Sequence, residues 1–144
     1  MDVNGSYTFA AAPDAVWQLL TDPVVIAGCL PGCDTLEPLG DDRYRAALTL
    51  AVASVSGSYA GTVAMLDKKP PRSYRLVVEG SGTPGFVNGD ATIELVPEGS
   101  GTTVRVTGRG QVGGLIARVG QRLLGSVSKM MMDRFFVCLQ GRLR

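Results

Sequence analysis

The chain reads as an α+β fold in which a curved antiparallel sheet wraps one long C-terminal helix. Three observations predict it. From Cys33 to Arg109 apolar residues recur at every second position, in runs cut by Gly-, Pro- and Asp-rich turns, the pattern of an antiparallel meander with one apolar face. From about Gly114 to Leu143 the apolar period lengthens to that of a helix. Between the first strand and the meander stand two helix-start signals, Ala12-Pro13-Asp14 and Thr21-Asp22-Pro23. A sheet with one apolar face needs a cover, and the long helix is the economical one, with the two short helices plugging one end. The space between sheet and helix is a natural internal cavity. Small residues on the inward side, Ala46, Gly61, Ala91, Gly108 and Gly120, predict that it is incompletely filled; the alternative is that they let the helix pack closely. At roughly 150 residues per domain, a single ligand-binding domain over 1–144 is expected.

Each element has its own signal. Val3 to Phe9 carries Val3, Tyr7 and Phe9 and reads as a strand. Pro13 suits the first position of a helix and Asp14 its positive end; Val16, Trp17, Leu19 and Leu20 form its apolar face. Asp22 caps a second helix with Pro23 in its first turn, about Val24 to Gly28, and Leu30-Pro31-Gly32 stops it. In the meander, Tyr44 to Ala53, Ser58 to Met65, Tyr74 to Glu79, Ala91 to Leu95 and Val104 to Thr107 alternate in polarity. Turns fall at Gly40-Asp41-Asp42, Ser54 to Gly57, Lys69 to Arg72, Gly80 to Gly85 and Glu98 to Gly101. On a helical wheel Ile116, Val119, Gly120, Leu123, Val127 and Met130 share one side, with Arg118, Arg122 and Lys129 opposite. One continuous amphipathic helix is predicted, apolar toward the sheet and basic outward.

Composition excludes several classes of function. Hydrophobic residues make up 45% and charged residues 19%, too apolar for a disordered chain. There is no histidine, which removes Ser-His-Asp and Cys-His catalysis and every His-based metal site. Three cysteines do not make a disulfide framework. The N-terminus lacks the basic and apolar regions of a signal peptide, and no run reaches the roughly 18 apolar residues of a membrane span. A cytoplasmic protein with reduced thiols is expected. The net charge of +1 hides an asymmetry: residues 1–104 hold six basic and twelve acidic side chains, residues 105–144 eight basic and only Asp133. That split fits either a basic contact surface or internal complementarity between body and tail.

Candidate chemistry is sparse. Cys29 and Cys33, four apart, are expected as buried thiols at a Pro-Gly turn rather than as a metal or redox pair, and Cys138 as a packing residue. Glu79 and Glu94 fall on the outward face, Asp41 and Asp42 in a turn, Asp133 on the polar side of the helix, so no carboxylate pair is placed for acid–base work. Gly80 to Gly89 lacks a phosphate-loop ending; it reads either as a gating loop carrying Phe86 and Val87 or as an ordinary strand connection. The basic stripe lacks the aromatics of a nucleic-acid surface and suits phosphate headgroups or an acidic protein. Met130 to Leu139 is apolar all round the wheel, in part for packing and in part for a partner or a peripheral lipid contact. Arg134 falls on the inner side, either at the cavity rim as a donor to a carbonyl oxygen or snorkelling to solvent.

Several runs resemble the CoxG family of carbon monoxide dehydrogenase subunits, of the START/Bet v 1-like (SRPBCC) superfamily. They are Ala12-Pro13 with Val16-Trp17, Asp22-Pro23, Cys29-Leu30-Pro31-Gly32-Cys33, Gly57-x-Tyr59-x-Gly61, Glu79-Gly80-x-Gly82, Gly85-Phe86-Val87-x-Gly89, and Gly113-Gly114 through Ala117 to Gly120-Gln121-Arg122-Leu123. The likeness spans essentially the whole chain. It implies a helix-grip domain with an apolar cavity, associated with aerobic molybdenum-containing carbon monoxide dehydrogenase. It further implies a membrane quinone such as menaquinone as bound ligand, and many family members carry a further membrane-touching tail.

The function expected is therefore a non-catalytic, lipophilic-ligand-binding protein with no metal, which carries menaquinone or another isoprenoid quinone to the dehydrogenase. It would work at the inner face of the cell membrane, in peripheral contact with it and with no nucleic-acid partner. Alternation and the wheel nominate Leu48, Leu50, Tyr59, Val63, Leu76, Val78, Phe86, Ile116, Val119, Leu123, Val127 and Met131 as lining. The alternatives are an assembly or membrane-recruitment factor for the dehydrogenase and a small-molecule enzyme of the same superfamily, such as a cyclase.

Overall fold

The computed structural model describes residues 1–52 and 55–143. Strand β1 (Asp2–Phe9) is followed by α1 (Pro13–Thr21) and α2 (Pro23–Cys29). Then come β2 (Cys33–Gly40), β3 (Arg43–Leu50), β4 (Gly57–Lys69), β5 (Ser73–Gly82), β6 (Gly85–Glu98) and β7 (Gly101–Gly113). A 3₁₀ turn (Leu115–Val119) leads into α3 (Gln121–Gly141). The seven strands form one antiparallel sheet in the order β1-β7-β6-β5-β4-β3-β2. From β2 to β7 each strand pairs with the next, so the meander predicted from the period of two is the sheet. The helical pair carries the chain from one edge of the sheet to the other. The alternation at Ala53 and the turn residue Ser54 lie outside the described residues, as does Arg144.

Local chemistry sets the boundaries. Pro13 opens α1, and Val16, Trp17 and Leu20 are its buried face. Asp22 Oδ1 accepts from the Val24 amide at 2.9 Å and caps α2. Asp41 and Asp42 both take positive φ, 52° and 59°, and close the β2–β3 hairpin, a conformation their short polar side chains tolerate. The segment from Gly80 to Gly89 is an ordinary strand connection. Gly82 pairs with Gly85 across Thr83-Pro84, and Phe86 and Val87 are ladder residues of β6, so no gating loop exists there.

The C-terminal element is not one continuous helix from Gly114. Gly120 sits at φ 90° and ψ 155°, a backbone that L side chains rarely adopt. It separates the 3₁₀ turn from α3. That turn winds about 20° further per residue than an α-helix, so a wheel drawn through the break loses its phase. The apolar face of α3 is shifted accordingly, onto Met131, Met132, Phe135, Phe136 and Leu139.

Two apolar clusters result. The larger joins Phe9, Val16, Trp17, Leu20, Met65, Tyr74, Ile93, Leu95, Val104, Val106, Phe136 and Leu139 beneath α1, α2 and the C-terminal half of α3. The smaller gathers Val55, Tyr59 and Ile116 with Leu48, Leu50, Val119, Leu124 and Val127. At its C-terminal end α3 is fixed to β1 by Gln140, whose Nε2 donates to the Thr8 carbonyl at 2.7 Å, and to α2 by a disulfide between Cys29 and Cys138. The expectation of reduced thiols with Cys138 as mere packing is thereby corrected. The folded chain brings Cys29 and Cys138 within 5.4 Å Cα to Cα, a proximity that sequence spacing could not reveal. Cys33 is the free thiol and lies partly buried.

Candidate functional site

Between the concave face of the sheet and α3 lies an apolar cavity of about 370 Å³. Its existence is written in the strand register. Ala46 on β3 faces Gly61 on β4, and Gly61 faces Gly80 on β5. All three border the cavity. A row of minimal side chains across three strands leaves the floor of the sheet bare. Gly61 also permits close approach of β5, because a Cβ there would run into the Glu79 main chain. Larger residues on either side of the row make the walls: Leu48, Tyr59, Val63, Leu76 and Val78 from the sheet. Met131, Met132, Phe135 and Phe136 of α3 form the roof, and Leu20, Ile26 and Leu30 the end beneath α1 and α2. Of the small inward residues expected, Ala46, Gly61 and Ala91 border the space. Gly108 and Gly120 do not. Gly108 is pressed against Ala91 of the adjacent strand, and Gly120 lies at the helix break.

The nominated lining divides. Leu48, Tyr59, Val63, Leu76, Val78 and Met131 border the cavity. Leu50, Ile116, Val119 and Val127 pack together in the smaller cluster instead. Leu123 is partly buried in the first turn of α3, away from the cavity. Phe86 is 45% exposed, with its ring over Gly113 of the neighbouring strand. Met132, Phe135 and Phe136 join the lining without having been nominated. Their signal is the run from Met130 to Leu139, apolar but for Asp133 and Arg134, which a misphased wheel cannot resolve into an inner and an outer side. Arg134 is exposed and is not among the residues that border the cavity.

Polar chemistry in the cavity is confined to a few side chains. Thr62 and Glu79, paired across β4 and β5, are exposed. The Tyr59 hydroxyl donates to the Val55 carbonyl at 2.6 Å, and burial pushes its ionisation upward. Tyr74 is 5% exposed and stands edge-on to Trp17, with ring centres 5.4 Å apart. Burial alone pushes its phenol well above the ordinary range, so it is neutral at any physiological pH. Among the described residues, no cluster of His, Cys, Asp and Glu could hold a metal ion, and no helix is long and apolar enough to cross a membrane. The arrangement can do what hydrocarbon walls do: remove an apolar molecule from water.

Solved structures share this architecture. A conserved protein from Geobacillus kaustophilus is 38% identical over 99% of this chain and 94% of its own, with a TM-score of 0.96. A START superfamily protein from Mycobacterium smegmatis superposes with a TM-score of 0.76 at 13% identity, covering 99% of this chain and 96% of its own. A Chromobacterium violaceum protein, CV1439, reaches 0.73 at 16% identity, covering 97% and 95%. At those lower identities the likeness is one of fold, and it establishes the START-like helix-grip architecture. No curated protein matches the sequence significantly. The profile of the carbon monoxide dehydrogenase CoxG subunits matches residues 5–144, and with nearly the whole length covered, this chain belongs to the CoxG family.

Proposed function

We propose that the protein is a non-catalytic carrier of an isoprenoid quinone of the menaquinone type, which it presents as electron acceptor to aerobic molybdenum-containing carbon monoxide dehydrogenase. The observation that carries the reading is the cavity, walled almost wholly by hydrocarbon and thioether groups. A buried methylene contributes about 0.8 kcal/mol, so each isoprenyl unit drawn off the solvent gains roughly 3 kcal/mol on the same scale. Binding of that kind needs no catalytic residue and only one or two polar contacts for the head. The family name supplies the dehydrogenase as partner. The test is native mass spectrometry with organic extraction of protein purified from a quinone-producing host. Near-stoichiometric quinone supports the carrier. Clean apoprotein that also ignores added menaquinone overturns it.

A second reading, recruitment of the dehydrogenase to the cytoplasmic face of the membrane, has its own observation. Phe86 and Leu115 flank the Gly85–Gly114 crossing, 45% and 59% exposed, with Arg118 and Arg122 exposed on the segment that follows. Apolar side chains beside basic ones suit a peripheral contact with anionic lipid. Substituting the two arginines with glutamate should then lower binding to anionic vesicles while leaving quinone uptake intact.

A further inference from the structure

The cavity holds two deeply placed phenols, and only one of them is engaged. Tyr59 gives its proton to the Val55 carbonyl. The Tyr74 hydroxyl has no hydrogen-bond partner among the described residues, although the side chain is 5% exposed and borders the cavity. Its hydroxyl differs from Thr103 Oγ1, the buried side-chain oxygen that is sealed in without a partner. The Tyr74 oxygen is not sealed, and the open space that this side chain borders is the cavity. A buried phenol facing apolar walls has given up its water without replacement. Natural proteins rarely leave such a group so.

Its place in the fold gives it a direction. On β5 the inward series runs Tyr74, Leu76, Val78. Tyr74 is the member nearest α1, where Trp17 packs against it and Leu20 helps close the end of the cavity. The donor therefore stands at the end beneath α1, while the hydrocarbon walls extend away from it.

We propose that Tyr74 is the polar anchor of the cavity, and that its hydroxyl donates a hydrogen bond to an acceptor oxygen, of the carbonyl class, on the leading end of an otherwise apolar ligand. The ligand enters head first, with its hydrocarbon tail along Leu76 and Val78. A neutral phenol also accepts, so the same oxygen serves the hydroxyl of a reduced head. This inference rests on the quinone reading above and names the residue that orients the head.

The experiment compares two probes on the full chain: menaquinone with two isoprenyl units, and the matching 2-methyl-3-geranylnaphthalene, which keeps the rings and tail but lacks both carbonyls. Affinities are measured for the unmodified protein, Tyr74→Phe and Tyr59→Phe, and the carbonyl stretch of bound menaquinone is recorded by infrared difference spectroscopy. Thermal unfolding confirms that each variant is folded. The expected result is a loss of about tenfold in menaquinone affinity for Tyr74→Phe, the scale of one buried hydrogen bond, with naphthalene affinity unchanged. The carbonyl stretch, shifted down in the unmodified protein, should return upward in Tyr74→Phe and stay shifted in Tyr59→Phe. Equal losses for both probes, or none for either with an unmoved carbonyl band, overturn the anchor while the carrier stands. If the unmodified protein takes up neither probe, the carrier reading and the anchor fall together.

Discussion

The Tyr7 hydroxyl donates to Asp133 Oδ1 at 2.6 Å, joining the first strand to the middle of α3 across 126 residues of chain. The Tyr7 ring lies flat on Phe136, centre to centre 4.2 Å, so one side chain both packs under the helix and bonds to it. Lys129 approaches the same carboxylate at 3.2 Å from one turn earlier. The hydrogen bond from Tyr7, then that from Lys129, hold the Asp133 carboxyl below the ordinary carboxylate range. Burial, then the neighbouring carboxylate, push the Tyr7 phenol up.

The linkage sign follows from those directions. A carboxyl whose folded-state pKa is depressed stabilises the fold above its unfolded value of about 3.9. That contribution is lost as pH falls through the folded value. Tyr7→Phe should therefore lower stability near neutrality, and the gap between variant and parent should close as pH drops below about 4. At the alkaline end the raised phenol has the opposite sense: stability is complete below about 10 and declines as pH climbs beyond it. Urea midpoints measured across pH for both proteins check the pair. A constant gap down to the lowest pH would remove the hydrogen bond from the account.

Removing the Cys29–Cys138 bond should be costly. It closes a loop with a sequence separation of 109 residues, and in the chain-entropy view a loop of that size stabilises by about 4–5 kcal/mol. Cys138→Ser should lower the denaturation midpoint and steepen the slope, because the denatured chain without the cross-link is more expanded. Adding reductant should shift the parent by a similar amount and leave the variant where it is.

Gly120 tests the helix break. Nothing lies within 4 Å of where its side chain would be, so space is not the constraint. The constraint is φ 90°. Gly120→Ala should destabilise by roughly 1–2 kcal/mol through backbone strain. Gly125, inside α3 and also in open space, should respond in the opposite direction, gaining up to about 1 kcal/mol as alanine. Thermal unfolding of the two variants separates the effects.

Ala46 and Val119 separate the two clusters. Ala46→Phe projects a ring into the cavity and should reduce menaquinone uptake more than about tenfold, at a stability change within about 1–2 kcal/mol because the site has room. Val119→Ala, in the smaller cluster, should lower stability by about 1–2 kcal/mol and leave uptake unchanged. A titration with menaquinone alongside thermal unfolding reads both. Uptake lost in Val119→Ala and kept in Ala46→Phe would place the ligand elsewhere.

The parts of the fold legible in the sequence are those dictated by local periodicity and backbone chemistry. Pro13, Asp22 and the two aspartates at 41 and 42 mark helix starts and a hairpin turn where the structure has them. The alternation of Leu76 and Val78 sends both inward as expected. What the sequence hid depends on phase or on distance along the chain. Ile116 and Val119 share a wheel face with Leu123 only if the helix is continuous, and the positive φ of Gly120 ends that continuity. The floor of the cavity needs Ala46, Gly61 and Gly80 to come into one row, and pairing register is a tertiary outcome that alternation alone does not determine. Cys29 meets Cys138 only once α2 has docked on α3.

The pairing of β1 with β7 has a consequence for how the molecule is born. Asp2 faces Arg109 and Phe9 faces Thr102, whereas every other ladder joins strands adjacent in the chain. On a ribosome adding roughly 5–20 residues per second, the first strand leaves the tunnel several seconds or more before its partner has been made. Through that interval its tyrosine and phenylalanine have no sheet to join, and the seam that completes the fold is sewn last. Nascent chains stalled short of Thr102 should therefore hold the hairpins from β2 onward while their leading strand stays open to any passing chaperone.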